Sequence, residues 1–232
     1  MRAFSHVDSW VFDLDNTLYP ASCRLFDQID VKMGDFVSRA LNVDYAEAKR
    51  RQKEMFYKYG TTLRGLMTEH GVTPDDFLDY VHDIDHSPVP PNAKLDAALH
   101  ALPGRKLIFT NGTVAHAEKV LNRIGITHHF GDIFDIVHSD FVPKPEMEPY
   151  RKFVRQTGIR PETSAMFEDI ARNLEAPHAL GMVTVLVVSP ENKDAEYLNR
   201  ATGGVEKQHI HHITDDLPGF LTDLAEQLKS QS

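Results

Sequence analysis

Cysteine occurs once, at Cys23, so the chain can form no internal disulfide and no thiolate metal cluster, which fits a reducing compartment. No run approaches the roughly 20 apolar residues that a membrane span requires. The start, MRAFSHVDSW, lacks the apolar stretch of a signal peptide. A cytoplasmic protein with no membrane partner is therefore expected. Basic charge is also in short supply. The formal net charge is −9, and a phosphate backbone demands a basic face, so nucleic acid is not expected as a partner either. An anionic substrate would then need local positive charge, which a bound divalent cation can supply. Internal repeats and low-complexity segments are absent.

What is present is an ordinary globular composition, 41% apolar and 25% charged over 232 residues, enough for one large domain or one domain carrying an insertion. Short apolar runs without alternation, the mark of strands buried on both faces, occur at Trp10–Leu14, Lys106–Thr110, Ile133–His138, Ala165–Glu168 and Val183–Val188. Helical periods at Val114–Ile124, Glu148–Thr157 and Ala171–Leu180 separate them, stopped by Gly125, Gly158 and Gly181. Alternation of strand and helix predicts an α/β fold with a doubly wound parallel sheet. Residues 22–102 break the pattern, with helical periods at Leu25–Leu41, Tyr45–Lys58, Thr62–His70, Pro74–Asp83 and Ala93–Leu102 and no strand. A helical domain is thus expected at 22–102, inserted in a core of 1–21 and 103–232. The tail suggests a short strand at Ile210–Ile213 and a closing helix at Leu217–Leu228.

The first strand runs straight into Asp13-Leu14-Asp15, two carboxylates that a buried strand would ordinarily avoid. Ligands of open parallel sheets sit at the carboxyl ends of the strands. Those ends carry Asp13 and Asp15, then Thr110-Asn111-Gly112, then Lys144 beyond the third run, then Glu168-Asp169. A carboxylate, a hydroxyl, an amine and further acids therefore gather along one edge.

DLDNT, an apolar run ending in TNG, the lysine of KPEMEPY and the acids of FEDIARN resemble, in this order, the four motifs of the haloacid dehalogenase superfamily. The similarity spans roughly residues 8–190, and the helical insertion lies where that superfamily has its cap. The resemblance implies a phosphoric monoester hydrolase working through an aspartyl phosphate. Asp13 would be the nucleophile. Asp15 would protonate the leaving oxygen and later take a proton from water, which calls for a raised pKa. Thr110, with the backbone N–H groups of Asn111 and Gly112, would bind phosphate, and Lys144 would neutralise charge. Mg2+ prefers oxygen ligands, and Asp13, the Asp15 carbonyl and Asp169 would serve, with Glu168 as second choice. Asn173 stands where some relatives carry another acid. The name-giving dehalogenases resemble this pattern without a second aspartate, so Asp15 favours phosphate-ester hydrolysis.

DLDNTLYP, then YGTTLRGL in the insertion and FEDIARNL later, look like the pyrimidine 5′-nucleotidase family. This implies a small-molecule phosphate ester as substrate, such as UMP or CMP, and a monomer or homodimer. Met147 departs from the proline frequent there, but the spacing from Lys144 to Tyr150 is kept. Arg64 is the expected substrate contact of the cap, since a guanidinium can stack on a base or bond its carbonyls. Flanking Gly60 and Gly65 suggest close backbone approach, and Tyr19 could line the pocket. The competing readings are a phosphatase for phosphoglycolate or a sugar phosphate, and, from another class, a phospho-accepting signalling module or a non-catalytic phosphate binder. Histidines at 128–129 and 209–212 do not suit a hard cation.

Overall fold

The computed structural model describes residues 4–189 and 208–230. Six strands form one parallel sheet: β1 (Ser9–Phe12), β2 (Arg105–Phe109), β3 (Asp132–Phe134), β4 (Ser164–Glu168), β5 (Val183–Val187) and β6 (His212–Thr214). Their spatial order is β3-β2-β1-β4-β5-β6. The first strand is thus interior, with Phe12 paired to Ile108 on one side and to Phe167 on the other.

Successive residues of a strand point to opposite faces, and here both faces are covered. Trp10, Phe12, Phe167 and Val185 enter one buried cluster, while Val11, Phe109, Met166 and Leu186 enter the other. That is why these runs do not alternate in polarity. Phe12 and Phe167 stack at 4.7 Å, and each such ring contributes roughly 1.5–3 kcal/mol by burial. Helices α5 (Ala93–Ala101), α6 (Val114–Ile124) and α9 (Leu217–Ser230) close the first face. The second face is closed by α7 (Met147–Thr157) and α8 (Glu175–Leu180). Gly125, Gly158 and Gly181 end α6, α7 and α8 in the left-handed conformation, as expected of helix stops.

Between β1 and α5 lie α1 (Leu25–Leu41), α2 (Tyr45–Tyr59), α3 (Thr62–His70) and α4 (Pro74–His82). They bury a cluster of their own, including Ile29, Val37, Met55, Leu66, Phe77 and Val81, which Ile136 of the core joins. The last helix of the expected insertion packs differently. Leu95, Ala98 and Leu99 of α5 belong to the sheet cluster, so this helix goes with the core. Its periodicity alone could not reveal which partner its apolar face meets.

One strand end and one helical stretch also differ from expectation. The third strand stops at Phe134 rather than His138, because the buried Asp135 carboxylate accepts from the backbone N–H of Val114 and of His138. That interaction caps the start of α6 and turns the chain. The stretch at 171–180 divides into a 3-10 turn, Ala171–Leu174, and α8, with Pro177 in the first turn of the true helix.

Candidate active site

The site lies at the carboxyl edge of the sheet, under the α1–α4 helices. Asp13 extends the β1 ladder by donating its N–H to Phe167 O at 2.9 Å. The chain then turns, with Asn16 at a φ of 62° and the N–H groups of both Thr17 and Leu18 donating to Leu14 O. This turn brings Thr17 back, so that its hydroxyl donates to Asp13 Oδ2 at 3.0 Å. Lys144 Nζ donates to Asp13 Oδ1 at 2.6 Å, to Glu168 Oε2 at 2.7 Å and to Phe109 O at 3.0 Å. All three of its hydrogens are used, and the ammonium is buried.

Too many acids face this one cation. Burial and the Glu168 charge raise the Asp13 carboxyl to about 7, with Lys144 pulling the other way. Burial and the neighbouring acids Glu168 and Asp13 push Asp169 well above the usual carboxylate range. Burial opposes the charge on Lys144, but Asp13 and Glu168 outweigh it and hold the amine firmly protonated.

Asp15 runs against expectation. Burial pushes its carboxyl up, but the His116 imidazole, by charge and hydrogen bond, and the Tyr19 hydroxyl outweigh this and bring it down to about 2. Tyr19 Oη donates to Asp15 Oδ1 at 2.6 Å, and His116 Nε2 donates to the same oxygen at 2.9 Å. Desolvation of Asp15 was foreseeable from sequence, but a donor from α6, 101 residues away, was not.

The TNG loop also differs in detail. The Gly112 N–H donates to Thr110 Oγ1 at 2.9 Å, so it is committed within the loop and is not open to phosphate. The Thr110 hydroxyl keeps its own hydrogen to donate. The Asn111 side chain brackets the Lys144 loop, accepting from Lys144 N at 2.9 Å and donating to Lys144 O at 3.4 Å. Both Glu168 carboxylate oxygens are engaged, one by Lys144 and the other by the Ile170 N–H. It acts as the far anchor of the lysine more than as an open ligand. Asn173 is buried at the cavity edge, and its carbonyl accepts from the Tyr150 hydroxyl.

A cavity of about 230 Å³ opens between the sheet edge and the inserted helices. Asp13, Asp15, Thr110, Lys144 and Asp169 line its floor. Its roof is apolar, with Phe26, Ile29, Phe56, Leu63, Phe77 and Val81 among the lining residues. Gly60 allows this approach, since at its φ of 84° a Cβ would meet Pro143 Cγ at 3.2 Å. Arg64 and Tyr19 do not line the cavity. Arg64 lies one residue past the lining segment 60–63, and its Nη1 is buried without a hydrogen-bond partner. Gly65 serves helix packing, because a Cβ there would fall 2.5 Å from Met55 Cγ. Tyr19 is buried and spends its hydroxyl on Asp15. The histidines at 82, 86 and 116 are the residues that sequence reasoning missed. The one available signal was the position of His116, three residues past the Thr113 cap and so one turn above the TNG loop.

The family model for haloacid dehalogenase-like hydrolases matches residues 7–181. The chain belongs to this family of hydrolases. Phosphate metabolism protein 8 of Saccharomyces cerevisiae is 28% identical over 193 residues, which is 75% of this chain and 60% of the yeast protein. Glyceraldehyde 3-phosphate phosphatase of Methanocaldococcus jannaschii is 25% identical over 210 residues, 80% of this chain and 87% of that one. Among solved structures, a HAD phosphatase from Thermococcus onnurineus shares the fold with a TM-score of 0.61 at 15% identity, covering 96% of this chain and 98% of its own. The L-2-haloacid dehalogenase of Xanthobacter autotrophicus does so with a TM-score of 0.57 at 16% identity, over 97% and 100%. Among the described residues, no helix is long and apolar enough to cross a membrane.

Proposed function

We propose that this hydrolase is a Mg2+-dependent phosphatase acting through an aspartyl phosphate, and that its substrates are pyrimidine nucleoside 5′-monophosphates. The carrying observation is Asp13, a carboxylate on the cavity floor, oriented by Thr17 and by Lys144 at 2.6 Å.

The donor set fits a hard cation. Ligand oxygens of Asp13, Glu168 and Asp169 lie within 4.8 Å of one another, and the raised carboxyls of Asp13 and Asp169 reflect burial first and mutual repulsion second, both of which a divalent ion offsets. Asp13, Asp169 and the Asp15 carbonyl would hold it, and when bound it supplies charge neutralisation for the phosphate oxygens. The chain's own residues do the rest. The Thr110 hydroxyl binds the phosphoryl group beside Asp13, and Lys144, its three hydrogens already committed, supplies fixed positive charge next to it. A carboxylate oxygen of Asp13 attacks phosphorus as the ester oxygen departs, and Asp15 gives that oxygen its proton. A phosphate dianion beside Asp15 favours the protonated form this step uses. Water then attacks the aspartyl phosphate, Asp15 recovers a proton from it, and phosphate leaves with Asp13 restored.

The apolar roof supports the nucleotide reading. None of the inserted-helix residues lining the cavity is Lys, Arg, Asp or Glu, and burial with the nearby His116 charge lowers His82 to about 4, leaving it uncharged. Such a wall suits the face of a base, with Thr61 and Thr62 available to its polar edge. A carboxylated leaving group such as glycolate would find no cation there. The archaeal relative's name specifies a triose phosphate, a smaller leaving group that would leave most of this wall uncovered.

The test is phosphate release, with Mg2+ and with EDTA, from UMP, CMP, phosphoglycolate, glyceraldehyde 3-phosphate and hexose phosphates. Metal-dependent release with the highest kcat/KM for UMP or CMP is expected. A triose or hexose phosphate in first place would overturn the substrate reading and keep the mechanism. No release from any of them would overturn both.

A further inference from the structure

His116 is completely enclosed at the site edge and belongs to none of the four motifs. Its Nε2 donates to Asp15 Oδ1 at 2.9 Å, and Asp15, as a carboxylate, can only accept. Its Nδ1 faces His86 Nε2 at 3.2 Å, so a second hydrogen shared between the two rings closes a chain Asp15–His116–His86. The ring is also packed closely against two neighbours. His82 stacks on it at 4.7 Å and 19°, and a Cβ on Gly112 would touch its Cδ2 at 3.2 Å. His82 ends α4, and His86 lies on the segment returning from the inserted helices to the core.

The consequence falls on Asp15. Tyr19 and His116 both bond Oδ1, which leaves Oδ2 on the side of the TNG loop, 3.7 Å from the Cβ position of Gly112. A free aspartate side chain has two rotatable bonds, whereas proton transfer demands an approach of about 2.6–3.2 Å.

We propose that His116, backed by His86, is a positioning residue for Asp15, pinning Oδ1 so that Oδ2 alone exchanges protons with the ester oxygen and the attacking water. The proposal rests on the reading of Asp15 as the proton shuttle. The steps concerned balance simply. As the Asp13 O–P bond forms and the ester P–O bond breaks, the Oδ2 proton passes to the leaving oxygen. As water's oxygen bonds phosphorus and the Asp13 O–P bond breaks, the water proton passes to Oδ2. Because His86 sits on the return segment, the aim of the shuttle is tied to the seating of the inserted helices.

The experiment compares two substrates, the alkyl phosphate that the panel ranks first and p-nitrophenyl phosphate. The latter's leaving group departs without a proton, so only its second step needs Asp15. Asp15→Asn is the reference and should lose about 10²–10⁴-fold in kcat on the alkyl ester. With p-nitrophenyl phosphate it should release a burst of p-nitrophenolate approaching one per site. His116→Phe, which keeps the ring but removes both hydrogen bonds, should follow the same pattern with about a 10–100-fold loss in kcat and little change in KM. His116→Gln, which returns a donor near the Nε2 position, should recover most of it. Should the phenylalanine variant fail to fold by circular dichroism, His86→Phe decides, with the same pattern at several-fold size. Wild-type kcat and no burst in the folded histidine variant, with Asp15→Asn behaving as described, would overturn the positioning role alone. If Asp15→Asn itself lacks the pattern, the shuttle reading falls and the proposal falls with it.

Discussion

The floor and the roof of the cavity are built on opposite principles. On the floor, the Asp13, Asp15, Lys144 and Glu168 side chains each hold a specified hydrogen-bond partner, and like charges are forced together. The roof is made of side chains such as Ile29, Phe56 and Phe77, with no ionised group among its lining residues. A reaction needs atoms at fixed positions, so the floor is polar, buried and short on freedom. Choosing a leaving group needs only shape and an absence of charge. The two halves should therefore fail in different ways.

The largest effect should come from removing the one cation of the floor. Lys144→Met strands Asp13 and Glu168 as buried acids without their shared partner, which costs about 3–5 kcal/mol of stability. Thermal unfolding and phosphate release measured together should show a much lower Tm and a nearly inactive enzyme. A stable, active variant would mean that the floor does not depend on charge pairing. On the roof, Phe56→Ala should leave the fold intact and lower kcat/KM for nucleotides by roughly 5–10-fold through KM, a single aromatic contact's worth. A fall in kcat instead would blur the division between the two halves.

A smaller effect sharpens the floor's side. Asp13 has a folded value raised to about 7, against 3.8 unfolded. Between those values the folded state keeps a proton that the unfolded state releases, so this group's contribution to stability fades as pH rises through 7. Metal-free Asp13→Asn should thus gain on the wild type as pH rises from about 5 to about 7.5, by about 2–4 °C in Tm for each 1 kcal/mol. Differential scanning calorimetry at both pH values checks it, and an advantage that shrinks with pH would contradict the crowded-acid picture. Smallest of all is Arg64→Ala. Its side chain does not line the cavity, so kcat/KM for UMP should change by less than about 2-fold.

These differences mirror what could be read from sequence. Asp13, Lys144 and the acids at 168–169 were legible because each ends or follows a buried strand, and a parallel sheet brings its strand ends together whatever the helices do. The glycines at 125, 158 and 181 marked helix ends for an equally local reason, the left-handed turn. Around Arg64, the neighbouring Gly60 and Gly65 signal close approach without saying to what. One meets Pro143 and the other Met55. The helix at 93–101 shows the same limit, since periodicity gives a face but not its partner. His116 was invisible because its importance comes from a hydrogen bond spanning 101 residues.

The central claim is that Asp13 carries the phosphoryl group. It is tested most directly by acid-quenching the enzyme during turnover of its best substrate and locating the phosphoryl group by peptide mass spectrometry. The account predicts the group on Asp13, with no label and no phosphate release from Asp13→Asn. Phosphate release that persists in Asp13→Asn, or turnover with no phosphoryl group on Asp13, would contradict it.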